Sequence, residues 1–92
     1  MTLLPEVRRL TDGARARIEQ LGVPQSQTER DQASQVVNEW ASALIALGLE
    51  VKGLWLVDFD NGSGYYCWQY PELGLQYFHS YQDGFSGRMR IQ

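Results

Sequence analysis

The fold of this chain is decided by residues 51–70, which read VKGLWLVDFDNGSGYYCWQY. Apolar residues alternate with others over 51–59, so we expect one strand there, with odd-numbered residues on one face and Asp58 on the other. Asn61-Gly62 marks a tight turn, because both residues tolerate positive φ. A return strand over Tyr65–Tyr70 completes a predicted β-hairpin.

The first half of the chain has the period of a helix. Apolar or small residues recur three and four positions apart from Leu3 to Leu21, which places them along one helical stripe. Thr2 is the expected N-cap, and Gly22 follows the last apolar position. Gly13 interrupts this helix, where it costs about 1 kcal/mol relative to Ala. It marks a bend or a close helix contact.

A second helix is expected to begin at Ser26. Ser26 and Glu29 have the spacing of a capping box, in which the hydroxyl and the carboxylate each accept a hydrogen bond from a backbone N–H. Thr28 with Asp31 offers a competing register. Gly48 is the natural residue to end the helix, because glycine readily takes the left-handed conformation there.

These elements predict an α+β fold of one domain, residues 1–92. An antiparallel helical hairpin over residues 1–48 packs on a three-stranded antiparallel β-meander with a tail over residues 49–92. The third strand runs from about Leu75 to Tyr81, and a loop and a short tail follow it.

Composition excludes several classes of function. The net charge is −3, and residues 31–87 hold a single basic residue, Lys52, against seven acidic ones, which argues against nucleic-acid binding. No apolar run reaches the roughly 18 residues of a membrane span, and no signal peptide is evident. Cys67 is the one cysteine, so the chain can form no internal disulfide and has no cysteine pair for a zinc knuckle. The sequence thus indicates a cytoplasmic protein without a metal or cofactor.

Several polar residues in the aromatic half have both a structural and a functional interpretation. His79 is the one histidine, and a hydrogen-bonding role in the fold is favoured over an acid or base role. Asp58, on a largely apolar strand, is expected either to pair with Arg88 in the interior or to bind a ligand. Glu72 alone would lie in solvent, and Cys67 is expected to be a small buried residue of low reactivity.

The C-terminal half also resembles a known family. The residues that carry the resemblance are Val51-Lys52, Leu56-Val57-Asp58-Phe59, Cys67-Trp68 with Glu72, Tyr77-Phe78-His79, Gly84-Phe85 and Gly87-Arg88. This order is similar to that of the bacterial family called domain of unknown function 2203, although the chain starts inside the family's first helix, without its lead-in. The resemblance implies no activity. It does imply that six residues belong together: Asp58, Trp68, Glu72, His79, Gly84 and Arg88.

Two functional hypotheses follow. The favoured one is a small binding or interaction module, expected to be a homodimer because a domain of this size leaves a sheet edge and a helix flank uncovered. Its expected ligand is a small anion, and its candidate binding site consists of Asp58, Trp68, Glu72, His79 and Arg88. The alternative is a small enzyme or metal-assisted hydrolase. In it His79 is the general base, Asp58 orients His79, Glu72 is the acid and Arg88 clamps an anion.

Overall fold

The computed structural model describes residues 3–91 and has two helices followed by a five-stranded sheet. The elements are α1 Leu4–Leu21, α2 Gln27–Ala46, β1 Glu50–Gly53, β2 Leu56–Asp60, β3 Tyr65–Gln69, β4 Tyr77–His79, a 3-10 turn Phe85–Gly87 and β5 Met89–Arg90. The α+β class and the two helices are confirmed, whereas the expectation of three strands is wrong. The expected N-cap Thr2 lies outside the described residues.

The ends of α2 follow from its sequence. The Ser26 hydroxyl accepts a hydrogen bond from the backbone N–H of Glu29 at 3.2 Å, and the Glu29 carboxylate accepts one from Gln25 N–H at 2.7 Å. The predicted start is therefore confirmed, with the carboxylate bonded one residue earlier than a capping box requires. Gly48 has φ +85°, and the N–H groups of Gly48 and Leu49 bond to carbonyls of the last helical turn, which ends the helix as predicted.

The single strand predicted over 51–59 is instead a hairpin of β1 and β2. The chain reverses at Leu54-Trp55, where Trp55 has φ +58°, and Val51 pairs with Val57. The Trp55 ring packs edge-to-face on Trp40 of α2, with centroids 4.8 Å apart. This contact with the core favours the turn over a continuous strand. Glu50–Asp58 and Val51–Val57 pair residues of equal parity, but the register shifts before Gly53, which pairs with Leu56. Val51, Trp55, Val57 and Phe59 nevertheless all pack in or against the core.

The sheet is an antiparallel meander in the order β1-β2-β3-β4-β5. The third predicted strand, 75–81, is shorter than expected and runs only over Tyr77–His79. The tail is a strand rather than a loop, because β5 pairs with β4 through Tyr77–Arg90 and Phe78–Met89. A two-residue strand is too short to show a period in the sequence.

The hydrophobic core lies between the helical hairpin and one face of the sheet. Val57, Phe59 and Trp68 are almost completely buried on that face. From α2, Trp40 donates its indole N–H to the Thr11 hydroxyl of α1 at 2.9 Å, which ties the two helices together. Neither described helix has the combination of length and apolar character needed to cross a bilayer.

Candidate functional site

The candidate site lies on the face of the sheet that points away from the core. Strand alternation places Asp58 of β2, Cys67 of β3 and His79 of β4 there, opposite the residues that face the helices. The segment 81–85 also borders this region, and a cavity of about 370 Å³ lies between the segment and the sheet. The three polar side chains line this cavity, together with aromatic rings of Tyr65, Tyr81 and Phe85.

Asp58 and His79 form a buried pair. The His79 Nε2 atom lies 2.9 Å from Asp58 Oδ2, and the side chains are only 3% and 2% exposed, respectively. The His79 Nδ1 atom lies 2.9 Å from the carbonyl oxygen of Ser80, which can only accept a hydrogen bond. Nδ1 therefore donates, and one further proton lies between Nε2 and the carboxylate.

This arrangement leaves His79 without a free lone pair. Both ring nitrogens are engaged, one with a backbone carbonyl and the other with Asp58. A general base needs an acceptor nitrogen within hydrogen-bond reach of a substrate proton. Asp58 does pair with His79, as the general-base hypothesis requires. His79 has no free acceptor nitrogen, however, so the structure does not support its role as the base. The structural interpretation of His79 is the better supported one.

The second oxygen of Asp58 is unusual. Among the described residues, Asp58 Oδ1 is the buried side-chain polar atom that has no hydrogen-bond partner. An unpaired buried acceptor costs about 1–3 kcal/mol, and more when the group is charged. Because Asp58 lines the cavity, a donor or a cation placed there could satisfy this oxygen.

Cys67 lies directly opposite Asp58 in the sheet register and is 1% exposed, as the sequence predicts for a buried residue. Burial, together with the negative charge of Asp58, raises the pKa of its thiol to about 11. The Arg88 guanidinium, 3.8 Å from the sulfur, opposes this rise. A thiol with so high a pKa is a poor nucleophile, so Cys67 has low reactivity.

Glu72 and Arg88 form a second pair. Their closest atoms lie 2.9 Å apart, and both side chains are about 15% exposed. Glu72 also accepts a hydrogen bond from Gln69 N–H at 2.8 Å. The expected pairing of Asp58 with Arg88 is therefore wrong, and so is a solvated Glu72. Because β5 pairs with β4, Arg88, which immediately precedes β5, lies beside Glu72 in its turn. The residue that pairs with Asp58 is His79.

Trp68 lies on the opposite face of the sheet, in the core. Its indole N–H donates to the backbone carbonyl of Glu72 at 2.7 Å, so it supports the turn and does not line the cavity. The structure thus divides the predicted site in two. Asp58 and His79 lie in the cavity with Gly84, and Glu72 and Arg88 lie beside it, connected through Cys67.

Comparison with known proteins gives one match. A family model described as "Uncharacterized conserved protein (DUF2203)" matches residues 2–91. The chain belongs to this family. The resemblance seen in the Cys-Trp and Gly-Arg motifs is thereby confirmed. No curated protein and no solved structure matches the chain. The DUF2203 description names no activity, so its function has to be inferred from the chemistry of the cavity.

One glycine of this DUF2203 chain fixes the position of His79. A Cβ atom on Gly64 would lie 2.6 Å from the backbone oxygen of His79 and 2.7 Å from the Phe78 ring. Such a contact is shorter than van der Waals distance, so only glycine lets β3 and β4 approach this closely here. The backbone therefore sets the distance between His79 and Asp58 as much as the side chains do.

Proposed function

We propose that this DUF2203 protein is a small binding module whose site is the cavity above Asp58, Cys67 and His79. The observation that carries the proposal is Asp58 Oδ1, a buried acceptor without a partner on a residue that lines that cavity. A bound group that donates a hydrogen bond or carries positive charge would remove its desolvation cost. Aromatic rings on the other walls suit a planar group.

The unpaired oxygen of Asp58 favours a cationic or donor ligand over the small anion expected from the sequence. Arg88, the residue expected to clamp an anion, is paired with Glu72 and does not line the cavity. The lining contains two carboxylates, Asp58 and Asp83, and one ammonium group, Lys52, and the proton shared with His79 makes the Asp58–His79 pair neutral overall. The remaining charges balance, so the preference for a donor or a cation comes from the unpaired Asp58 oxygen, an acceptor that an anion could not satisfy.

Benzamidine and benzoate provide a matched test, because both are planar and differ chiefly in the sign of their charge. We expect low-millimolar benzamidine to shift the backbone amide NMR resonances of Asp58, Cys67 and His79, whereas benzoate leaves them unchanged. Asp58→Asn should raise the benzamidine concentration needed for half of the maximal shift at least tenfold. Asp83→Asn keeps the buried acceptor, so it should retain most of the effect.

Two results would contradict this proposal. One is a stronger response of the cavity amides to benzoate than to benzamidine, which would restore the anion hypothesis. The other is the absence of a response to either compound at these amides.

A second proposal is that the protein is a homodimer that associates through its helices. A groove between α1 and α2 is lined by Leu10, Gly13, Ala14, Val36 and Ala43, among others. A Cβ atom on Gly13 would have no atom within 4 Å, so the close helix contact expected there is absent within the chain. A second copy could make it.

Shape and charge support a second copy as the occupant of this groove. The Cα radius of gyration is 14.3 Å, against about 12 Å for a compact domain of this length. The chain is therefore elongated and offers a long helical flank. Helix α1 carries four arginines against three acidic residues and α2 one arginine against three, so their net charges have opposite signs and two hairpins packed about a two-fold axis can bring them together.

Light scattering after size-exclusion chromatography tests the dimer. We expect wild-type protein at micromolar concentration to have about twice the 10.5 kDa chain mass. Gly13→Gln should reduce the mass to that of one chain, because the added side chain fills the groove without a clash inside the chain. Ser42→Gln, on α2 and outside the groove, should remain dimeric. A wild-type monomer, or a dimeric Gly13→Gln, would contradict this interface.

We also propose that the protein resides in the bacterial cytoplasm. Support comes from Cys67, an unpaired buried thiol that suits a reducing compartment. Fractionation of cells that express a tagged chain would test this location.

A further inference from the structure

We infer that Asp58, Cys67 and His79 form a binding site for a divalent transition metal ion of the zinc class. This inference rests on the proposed binding function of the cavity and identifies the bound group as a metal ion. One ligand atom from each side chain, an oxygen, a sulfur and a nitrogen, lies within 4.8 Å of the others. This donor set suits Zn²⁺ and Co²⁺ rather than Mg²⁺ or Ca²⁺, which prefer oxygen ligands alone.

The backbone already orients His79 as a metal ligand. Its Nδ1–H donates to the Ser80 carbonyl at 2.9 Å, which directs Nε2 toward Asp58 and Cys67. Histidines that bind metals usually donate their other ring N–H to a carbonyl or carboxylate, because this fixes the ring and the tautomer. Here the second hydrogen bond is present before any metal binds.

The Asp58 carboxylate has the spare capacity that a metal needs. A metal would replace the proton between His79 Nε2 and Asp58 Oδ2, which are 2.9 Å apart. Two such ligands on a tetrahedral zinc lie about 3.3 Å apart, so a small side-chain rotation is sufficient for this pair. The free Oδ1 could then bind the metal or a water molecule attached to it.

Charge at the site can also be balanced. The metal displaces two protons to solvent, that of the Cys67 thiol and the one shared by His79 and Asp58, because coordinating groups must be deprotonated. One carboxylate and one thiolate then neutralise the two positive charges. Arg88 beside the sulfur is already neutralised by Glu72, so it adds little net repulsion.

The cavity leaves the metal with an open position. Three side chains supply three ligands, and the space of about 370 Å³ lies next to them. Catalytic zinc sites have this composition, whereas structural zinc sites have four protein ligands. The fourth ligand is therefore expected to be water or a small molecule from solution.

Cobalt(II) titration of the metal-free full chain tests the site. We expect one equivalent of Co²⁺ to produce a thiolate-to-cobalt charge-transfer band and the visible bands of a tetrahedral ion. Cys67→Ser should abolish the charge-transfer band. Asp83→Asn removes a carboxylate of the same cavity that lies outside the cluster, so it should leave the band intact. Circular dichroism of each variant confirms that it is folded.

X-ray absorption of the zinc-loaded wild-type protein needs no variant. We expect one sulfur at about 2.3 Å and two or three nitrogen or oxygen atoms at about 2.0–2.2 Å. A spectrum without sulfur, or a cobalt complex unaffected by Cys67→Ser, would overturn the metal site. Benzamidine shifts at Asp58 in metal-free protein together with either of these results would overturn the metal alone and leave the binding cavity in place.

Discussion

Replacing His79 with Ala should lower the free energy of unfolding by about 3–5 kcal/mol, because it removes one partner of the buried Asp58–His79 pair and leaves the carboxylate without compensation. Asp58 would then have neither oxygen paired, since Oδ1 already has no partner. The Ser80 carbonyl would lose its His79 donor as well and keep only the backbone N–H of Asp83. Urea denaturation followed by circular dichroism gives the change directly.

A double-mutant cycle separates the pair from the lost volume of the ring. Asp58→Ala combined with His79→Ala removes the unpaired carboxylate, so the double variant should be less destabilised than the sum of the single changes by more than 1 kcal/mol. Tyr81→Ala is a control, because this ring also borders the cavity but is 49% exposed. An unchanged stability of His79→Ala would show that the pair does not hold the fold together.

How far the sequence could predict this pair depends on the β2–β3 loop. Alternation alone places Asp58 opposite to the core face, and that prediction is confirmed. A two-residue turn at Asn61-Gly62 would have paired Asp58 with Tyr65. The loop instead has four residues, 61–64, closed by hydrogen bonds to the Asn61 carboxamide. The register therefore shifts, and Asp58 lies opposite Cys67.

The remaining errors have a related cause. The sequence does not determine the partners of Asp58 and Arg88. Opposite charges attract, but the charges alone do not show which of them lie close together in the fold. The two-residue strand β5 holds Arg88 beside Glu72, which determines the pairing. The residues Met89-Arg90 carry no pattern that would distinguish a strand from an irregular tail. The proposed role of Cys67 as a metal ligand could not be predicted from the sequence for the same reason. Its neighbours in space, Asp58 and Arg88, are distant in sequence, and the register is needed to bring them together.

Trp40→Ala should cost about 3–5 kcal/mol and unfold both layers together. Trp40 is 3% exposed, packs on Trp55 at the β1–β2 turn and bonds to Thr11 of α1. It therefore joins both helices to the sheet. If residues 1–92 are one domain, helix loss seen by far-ultraviolet circular dichroism and exposure of the two remaining tryptophans, Trp55 and Trp68 in the sheet half, seen by fluorescence should coincide in urea.

Trp40→Phe is the matched control, because it keeps an aromatic ring in the core while removing the indole N–H. It leaves the Thr11 hydroxyl able to donate to the Val7 carbonyl at 2.8 Å, so the loss should be smaller than for Ala. Separate transitions for the helical and the fluorescence signals would contradict the single domain. Coincident transitions would mean that the helical hairpin stabilises the whole sheet, including the opposite face, where the backbone of β2, β3 and β4 holds Asp58, Cys67 and His79 within reach of one ligand.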